Sequence, residues 1–332
     1  MSEVRGQISE SKENFFSSSD PRYPTSDFRH GTSEPRPQTS DMRPLISVFL
    51  ISTFLFILLL TDSFTYAEKV IRIRGSSTVQ PIATIAARVF GKKHNLRILV
   101  EGGGSTKGVQ DAGEGLVDIG TASRDIYPDE KKRYRDIIAH TIAYDGIAII
   151  VNAKNPIDGI TSKQIIDLYT GKIKNWKELG GPDMSVRLVS KDFGRSTLDL
   201  FTEHFKLEVT KKDNLMYYRV RGESGYSPVG AIVVGQNSEA IVEVSRERGA
   251  IGYVSIGAAE RAERKLGKIK RIKIDGIEPT RENVKNKTYP IIRPLNLITK
   301  GRPSGDVERF IEFLLSPQGQ NIVKNLDYIP IK

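Results

Sequence analysis

From Val70 onward the chain alternates between two hydrophobic periods. VIRIR at Val70–Arg74 puts an apolar side chain at every second position, which predicts a strand. Behind Gly75–Thr78, Pro81 suits a first helical turn, and Ile82, Ile85, Ala86, Val89 and Phe90 form one stripe that Gly91 ends. Leu96–Val100 predicts the next strand, GGGSTKG leads into a short helix, and Val117–Gly120 predicts a buried strand. Pro128 then opens a charged helix through Asp136. Two strand-like segments, IIAHTIAY and IAIIVN, flank Asp145–Gly146. Thr161 and Gln164 make a capping box for a helix over Ser162–Tyr169. Val186–Ser190 predicts a strand, and the loop KDFGR leads to a helix with Leu198, Phe201 and Phe205 on one face. Asn237 or Ser238 caps a helix to Arg248, Gly249 stops it, and IGYVS follows as a strand. KIKRIKI at Lys268–Ile274 alternates like an exposed strand, and Ser304 precedes a helix striped by Val307, Phe310, Ile311 and Leu314. Strands alternating with helices predict an α/β fold with a mostly parallel sheet.

The first 67 residues have another pattern. Residues 1–41 are rich in Ser, Pro, Thr and charge, and predict a disordered extension. Leu45–Leu60 is then a 16-residue run without a charge, short of the roughly 20 residues that span a bilayer. Arg43 precedes it, and Thr65 and Ala67 occupy the −3 and −1 positions of a cut before Glu68. Read from Met42, this is a 26-residue signal peptide, residues 42–67, with 1–41 lying upstream of a start at Met42. An uncleaved signal helix that anchors the chain is the alternative.

Composition narrows the chemistry. The 332 residues contain no cysteine, which excludes disulfides, thiolate metal sites, a cysteine nucleophile and a cysteine-linked lipid. The four histidines (His30, His94, His140, His204) are too far apart in sequence to suggest a metal site, and no cofactor is expected. Residues 68–332 carry 44 Lys plus Arg against 32 Asp plus Glu, a net +12 that favours anions. Export and the dispersal of the basic residues argue against nucleic acid.

Four segments share one arrangement: a strand, a small polar turn and a helix start. They are GSSTV (Gly75–Val79), GGGSTKG (Gly102–Gly108), GTASR (Gly120–Arg124) and KDFGRST (Lys191–Thr197). Helix N-termini present free N–H groups and partial positive charge, so such turns cradle oxyanions. Ser and Thr are also routine helix caps, and one such loop alone would mean little. Enzyme signatures are missing. No Gly-Lys pair is followed by Ser or Thr as a Walker loop needs, GGGSTKG lacks the GxGxxG spacing, and no GxSxG elbow occurs. The chain is therefore read as a non-enzyme.

The motifs RGSSTVQP, EGGGSTKGV, VDIGTASRD, YDGIAIIVN, ITSKQIIDLYTGKIKNWKELGG, VSKDFGRSTLDLF, GAIGYVSIG and NLDYIPI together resemble the PstS family, the phosphate-binding receptors of ABC transporters. The resemblance covers Val70 to Lys332. It implies a two-lobed periplasmic-binding-protein fold of type II, each lobe a sheet flanked by helices, with the ligand in the interlobe cleft. Lobe 1 is expected over 68–145 plus 285–332 and lobe 2 over 146–284, closing by a hinge on the ligand.

By resemblance, Ser77, Thr78 and Val79 of the first loop, Ser105 and Thr106 of the second, and Arg124 of the third are phosphate ligands. The fourth loop supplies Lys191, Arg195, Ser196 and Thr197; Lys191 stands where the family commonly has Arg, and Arg195 where it has Ser. Asp145 and Asp192 are the candidate acceptors for a phosphate proton, an interaction sulfate cannot offer. The implied function is an exported, monomeric receptor that delivers phosphate to a membrane permease with its ATPase. A sensor or adhesion relative binding another tetrahedral oxyanion is the alternative. Trp176 is expected to pack at the lobe surface, and Tyr144 to line the cleft or pack in the strand core.

Overall fold

In the computed structural model, residues 70–331 are described; the expected extension and signal peptide lie outside them. The described residues fall within one compact unit. Its main sheet is mixed. Across it run Arg97–Gly102, Val70–Gly75, Ile119–Ala122, Ile292–Lys300, Ile137–Asn152, Ala250–Ser255, Arg187–Lys191, Ala231–Val234, Leu215–Val220 and Leu207–Lys212. The strands that feed the four polar loops take part in the parallel pairings. Their loops therefore leave carboxyl ends of strands, where open α/β sheets bind ligands.

The segments IIAHTIAY and IAIIVN are one continuous strand of 16 residues, Ile137–Asn152. Its first part pairs antiparallel with Ile292–Lys300, and its last part with Ala250–Ser255. Asp145–Gly146 marks the handover between these partners. The apolar core changes at the same place. One buried group runs from Ile147 to Ile291 with Ile329, and another combines Ile71–Ala143 with Leu295–Tyr328. A small third group gathers Val109, Ala112 and Ile126 under Ile298.

Several expectations change in three dimensions. The first helix runs Gln80–His94, with Gly91 buried inside it; Asn95, in the left-handed region, ends it and returns its N–H to the Gly91 carbonyl. The charged helix stops at Arg133, and the helix from Asn237 stops at Arg246. Trp176 is fully buried, not at a surface, and its indole N–H donates to the Gly249 carbonyl at 2.9 Å. Burying the large apolar ring is favourable once its N–H has such a partner. KIKRIKI is half core: Ile269, Ile272 and Ile274 are buried, and Ile269–Arg271 pairs with the long strand. Tyr144 is exposed and lines a cavity of about 520 Å³ with Lys285, Ile292 and Pro330.

Under the fourth loop lies an aromatic platform. Phe201 stacks on Tyr253 with centroids 3.9 Å apart and planes at 6°, while Tyr169 meets Tyr218 edge-on at 4.9 Å. The Tyr253 hydroxyl accepts from the Lys191 N–H at 3.2 Å and bonds Ser190 Oγ at 3.1 Å. Buried hydroxyls need such partners, and these fix the end of strand Arg187–Lys191 against helix Ser196–His204.

Candidate functional site

All four polar loops converge. Ser76 Oγ donates to Ser123 Oγ at 3.0 Å, and Ser105 Oγ donates to Ser196 Oγ at 2.9 Å. Ser123 Oγ and Ser196 Oγ are 2.6 Å apart, and the Ser123 N–H donates to Ser105 Oγ at 3.1 Å. Each of these serines comes from a different loop, and none is more than 2% exposed. The local setting is similar in each: a small hydroxyl lies within a few residues of the carboxyl end of a strand, and Ser105 and Ser196 open the helices that follow. Helices Ser105–Glu114 and Ser196–His204 begin inside this knot, and helix Gln80–His94 begins beside it, so three helix N-termini lie close together.

Arg293 lies beneath the hydroxyls. It stands directly opposite Asp145 in the ladder and its side chain is fully buried. Nε and Nη2 donate to Asp145 Oδ2 at 3.1 and 2.9 Å; Nη1 donates to Thr197 Oγ1 at 2.9 Å, and Nη2 to Thr78 Oγ1 at 3.1 Å. One guanidinium thus ties the first loop, the fourth loop and the crossing strand together. Asn237 Nδ2 also donates to Thr78 Oγ1, at 3.2 Å. The carbonyl of Thr78 accepts from the Tyr328 hydroxyl at 2.8 Å, so the closing NLDYIPI segment anchors the first loop.

Of the residues expected from sequence, Thr78, Ser105, Ser196, Thr197 and Asp145 are brought together here, and Val79 joins through its N–H, donated to Ser76 Oγ at 3.4 Å. Ser77 is not in the knot. It is half-buried and lines another cavity, with Gln80, Asn237 and Ser238; Ser76 takes the inward position. Thr106 is exposed; its N–H donates to the Gly194 carbonyl at 3.2 Å, and its hydroxyl accepts from Arg124.

Arg124 is buried but committed elsewhere. It donates to both Glu130 oxygens at 2.7 and 2.8 Å and lies 3.7 Å over the Tyr127 ring. It borders a cavity of about 450 Å³ shared with Asp199 and Pro294. Asp192 turns outward to Lys211, at 2.9 Å. Burial works to raise its pKa, but the Lys211 bond and the Phe193 N–H hold it below the usual carboxylate range.

Lys191 and Arg195 flank the knot. Lys191 is 2% exposed and its Nζ donates to the Gln236 carbonyl at 2.6 Å. Arg195 is half-buried, and its Nη1, fully covered, has no hydrogen-bond partner among the described residues. It fits between glycines: a Cβ at Gly104 would lie 3.0 Å from Arg195 Cδ, and one at Gly235 would lie 3.1 Å from Nη2. Two further hydroxyls, Ser76 and Ser123, belong to the motifs GSSTV and GTASR, next to the residues that the resemblance names. Arg293 left a clearer trace: it is a lone charge in the apolar run IIRPLNLI, and a charge buried in a strand is rarely without a partner.

Inward hydroxyls, helix N-termini and a buried guanidinium at strand carboxyl ends define a receptor for a small desolvated oxyanion. Known proteins agree with that class. The family model for the PBP superfamily domain matches residues 34–318, so the chain is a member of that superfamily. The phosphate-binding protein PstS of Bacillus subtilis is 30% identical over 278 residues, covering 82% of this chain and 85% of that protein. PstS of Borreliella burgdorferi is 27% identical, over 80% of this chain and 91% of its own. A substrate-binding protein with bound phosphate from Clostridium perfringens superimposes with a TM-score of 0.69 at 34% identity, covering 80% of this chain and all of that one. Within the superfamily, this chain belongs to the PstS family of phosphate-binding proteins.

Proposed function

We propose that this chain is a non-catalytic, exported receptor that binds inorganic phosphate and delivers it to the permease of an ABC importer. The carrying observation is the convergence of Ser76, Ser105, Ser123 and Ser196 with the buried Arg293–Asp145 pair. A tetrahedral oxyanion would accept from the hydroxyls and from Arg293, displacing the serine–serine bonds. Asp145, already beside Arg293, is the acceptor best placed for a phosphate proton, a role that sulfate cannot satisfy. Lys191 and Arg195 supply further positive charge, with Thr78 and Thr197 positioned through Arg293.

In this reading the chain has two lobes, 68–145 plus 285–332 and 146–284. The change of core between Ala143 and Ile147, and again between Ile291 and Leu295, supports it. Export through residues 42–67 is part of the proposal; no helix among the described residues is long and apolar enough to cross a membrane. The permease with its ATPase would be the partner, met by a monomer.

Calorimetric titration with phosphate, sulfate, arsenate and molybdate tests the reading. Phosphate and arsenate are expected to bind alike, with sulfate far weaker. Absence of any oxyanion binding would remove the assignment. Ser196→Ala deletes a hydroxyl with two buried partners, and is expected to weaken phosphate binding about five- to tenfold, the worth of roughly one neutral hydrogen bond. Unchanged affinity in that variant would move the ligand away from the serine knot.

A further inference from the structure

Lys191 is an unusual cation. A buried ammonium ordinarily has a carboxylate against it. Among the described residues Lys191 has no ion pair, and its Nζ meets the neutral Gln236 carbonyl. Charged groups surround it from each neighbouring element. Arg195 from its own loop and Arg293 from strand Ile292–Lys300 oppose its charge, while Glu239 on helix Asn237–Arg246 favours it. Glu239 is itself engaged, accepting from the Gly235 N–H at 2.7 Å. Tyr253, from the adjacent strand, and Tyr218, from the strand two places along the sheet, are kept neutral by burial. Asp145 is bound by Arg293, Asp192 by Lys211, and Asp199 faces Arg124 at 3.8 Å.

We propose that Lys191 is the charge-selecting residue of the oxyanion site, taking up a proton from solvent when a dianion enters and so favouring dianions over monoanions. The proposal rests on the receptor reading above. In the free protein Arg293 is paired with Asp145, and Arg195 and Glu239 add one charge of each sign near Lys191. A dianion then arrives with two uncompensated charges, and conversion of the Lys191 amine to ammonium, with one proton from bulk water, offsets one of them. A monoanion draws that proton less strongly. Burial, aided by Arg195 and Arg293, brings the free Lys191 down to about 7, so the proton is exchangeable at neutral pH.

The sign follows from linkage. Binding that takes up a proton weakens as pH rises, here above about 7 and by up to about tenfold per pH unit from pH 8. The test is calorimetry of the full chain with phosphate between pH 6 and 9, in pairs of buffers of different ionisation enthalpy. Phosphate's own ionisation is common to wild type and Lys191→Met, and their difference isolates the lysine. Wild type is expected to take up about half a proton more than the variant at pH 7, rising to about one at pH 8. Should Lys191→Met fail to fold or bind, the Lys191 Cε resonance of the labelled wild-type chain carries the test: it should titrate near neutrality without phosphate and not with it. Equal proton counts in wild type and variant, or a Cε resonance that titrates only in the ordinary lysine range, would overturn the proposal while leaving phosphate binding intact. No binding by wild type at any pH would instead remove the receptor reading, and this inference with it.

Discussion

Arg293→Ala is expected to lower phosphate affinity by at least about a hundredfold and to cost the fold about 3–5 kcal/mol. The two losses have different origins. The guanidinium is fully buried and makes four hydrogen bonds, two to Asp145 and one each to Thr197 and Thr78. Its removal leaves Asp145, 2% exposed, as an uncompensated charge, and that desolvation is the stability term. The affinity term comes from losing a cation that positions hydroxyls from two loops at once. Pairing Arg293→Met with Asp145→Asn removes the orphaned charge, and should recover most of the stability and none of the binding. Urea unfolding and phosphate calorimetry on wild type and the two variants check both. Affinity for Arg293→Ala within about threefold of wild type would show that this residue braces the fold without meeting the ligand.

Gly104→Ala is expected to weaken phosphate binding at least tenfold, with a smaller loss of stability of about 1–3 kcal/mol. Gly104 has φ 98 and ψ 160, a region only glycine enters without strain. A methyl there would also sit 2.7 Å from the carbonyl of Gly194, in the fourth loop. The strain burdens the free protein, whereas the clash arises only when the second and fourth loops meet. That meeting is held by the Thr106 N–H donating to the Gly194 carbonyl, and it brings Ser105 to Ser196. Small-angle scattering with and without phosphate separates the two effects. With phosphate bound, the variant should stay more extended than wild type; equal radii would mean that the loops do not touch as described.

Much of the fold was legible in the pattern of apolar positions. Helix Ser162–Tyr169 begins at the capping box read from Thr161 and Gln164, and strand Val70–Gly75 keeps the alternation of VIRIR. The joining of IIAHTIAY to IAIIVN was not legible, because Asp145–Gly146 looks like a break. Arg293 lies opposite Asp145, satisfies its charge and lets the strand continue. Gly91 misled for a similar reason: a glycine reads as a stop, but here it stays in the helix and its carbonyl accepts from Asn95 and Leu96.

For the candidate site, the sequence by itself determined which loops carry inward hydroxyls and converge, since hydroxyls beside glycine near a helix start are a local property of each segment. It could not determine which hydroxyl in each loop points inward: Ser76 and not Ser77 in the first loop, and Ser123 in the third. Nor could it decide the fate of a charge. Arg124 and Lys191 are both cations in oxyanion-type loops, but Glu130, six residues along, claims Arg124, and among the described residues no carboxylate pairs with Lys191. Arg293 is 169 residues from Arg124 in the chain, yet it became the central cation of the site. Local periodicity depends on a few neighbouring residues and can be read from them. Which buried charge is neutralised, and by what, depends on segments that become neighbours only after the sheet has formed, and electrostatics in a buried site is decided by those neighbours.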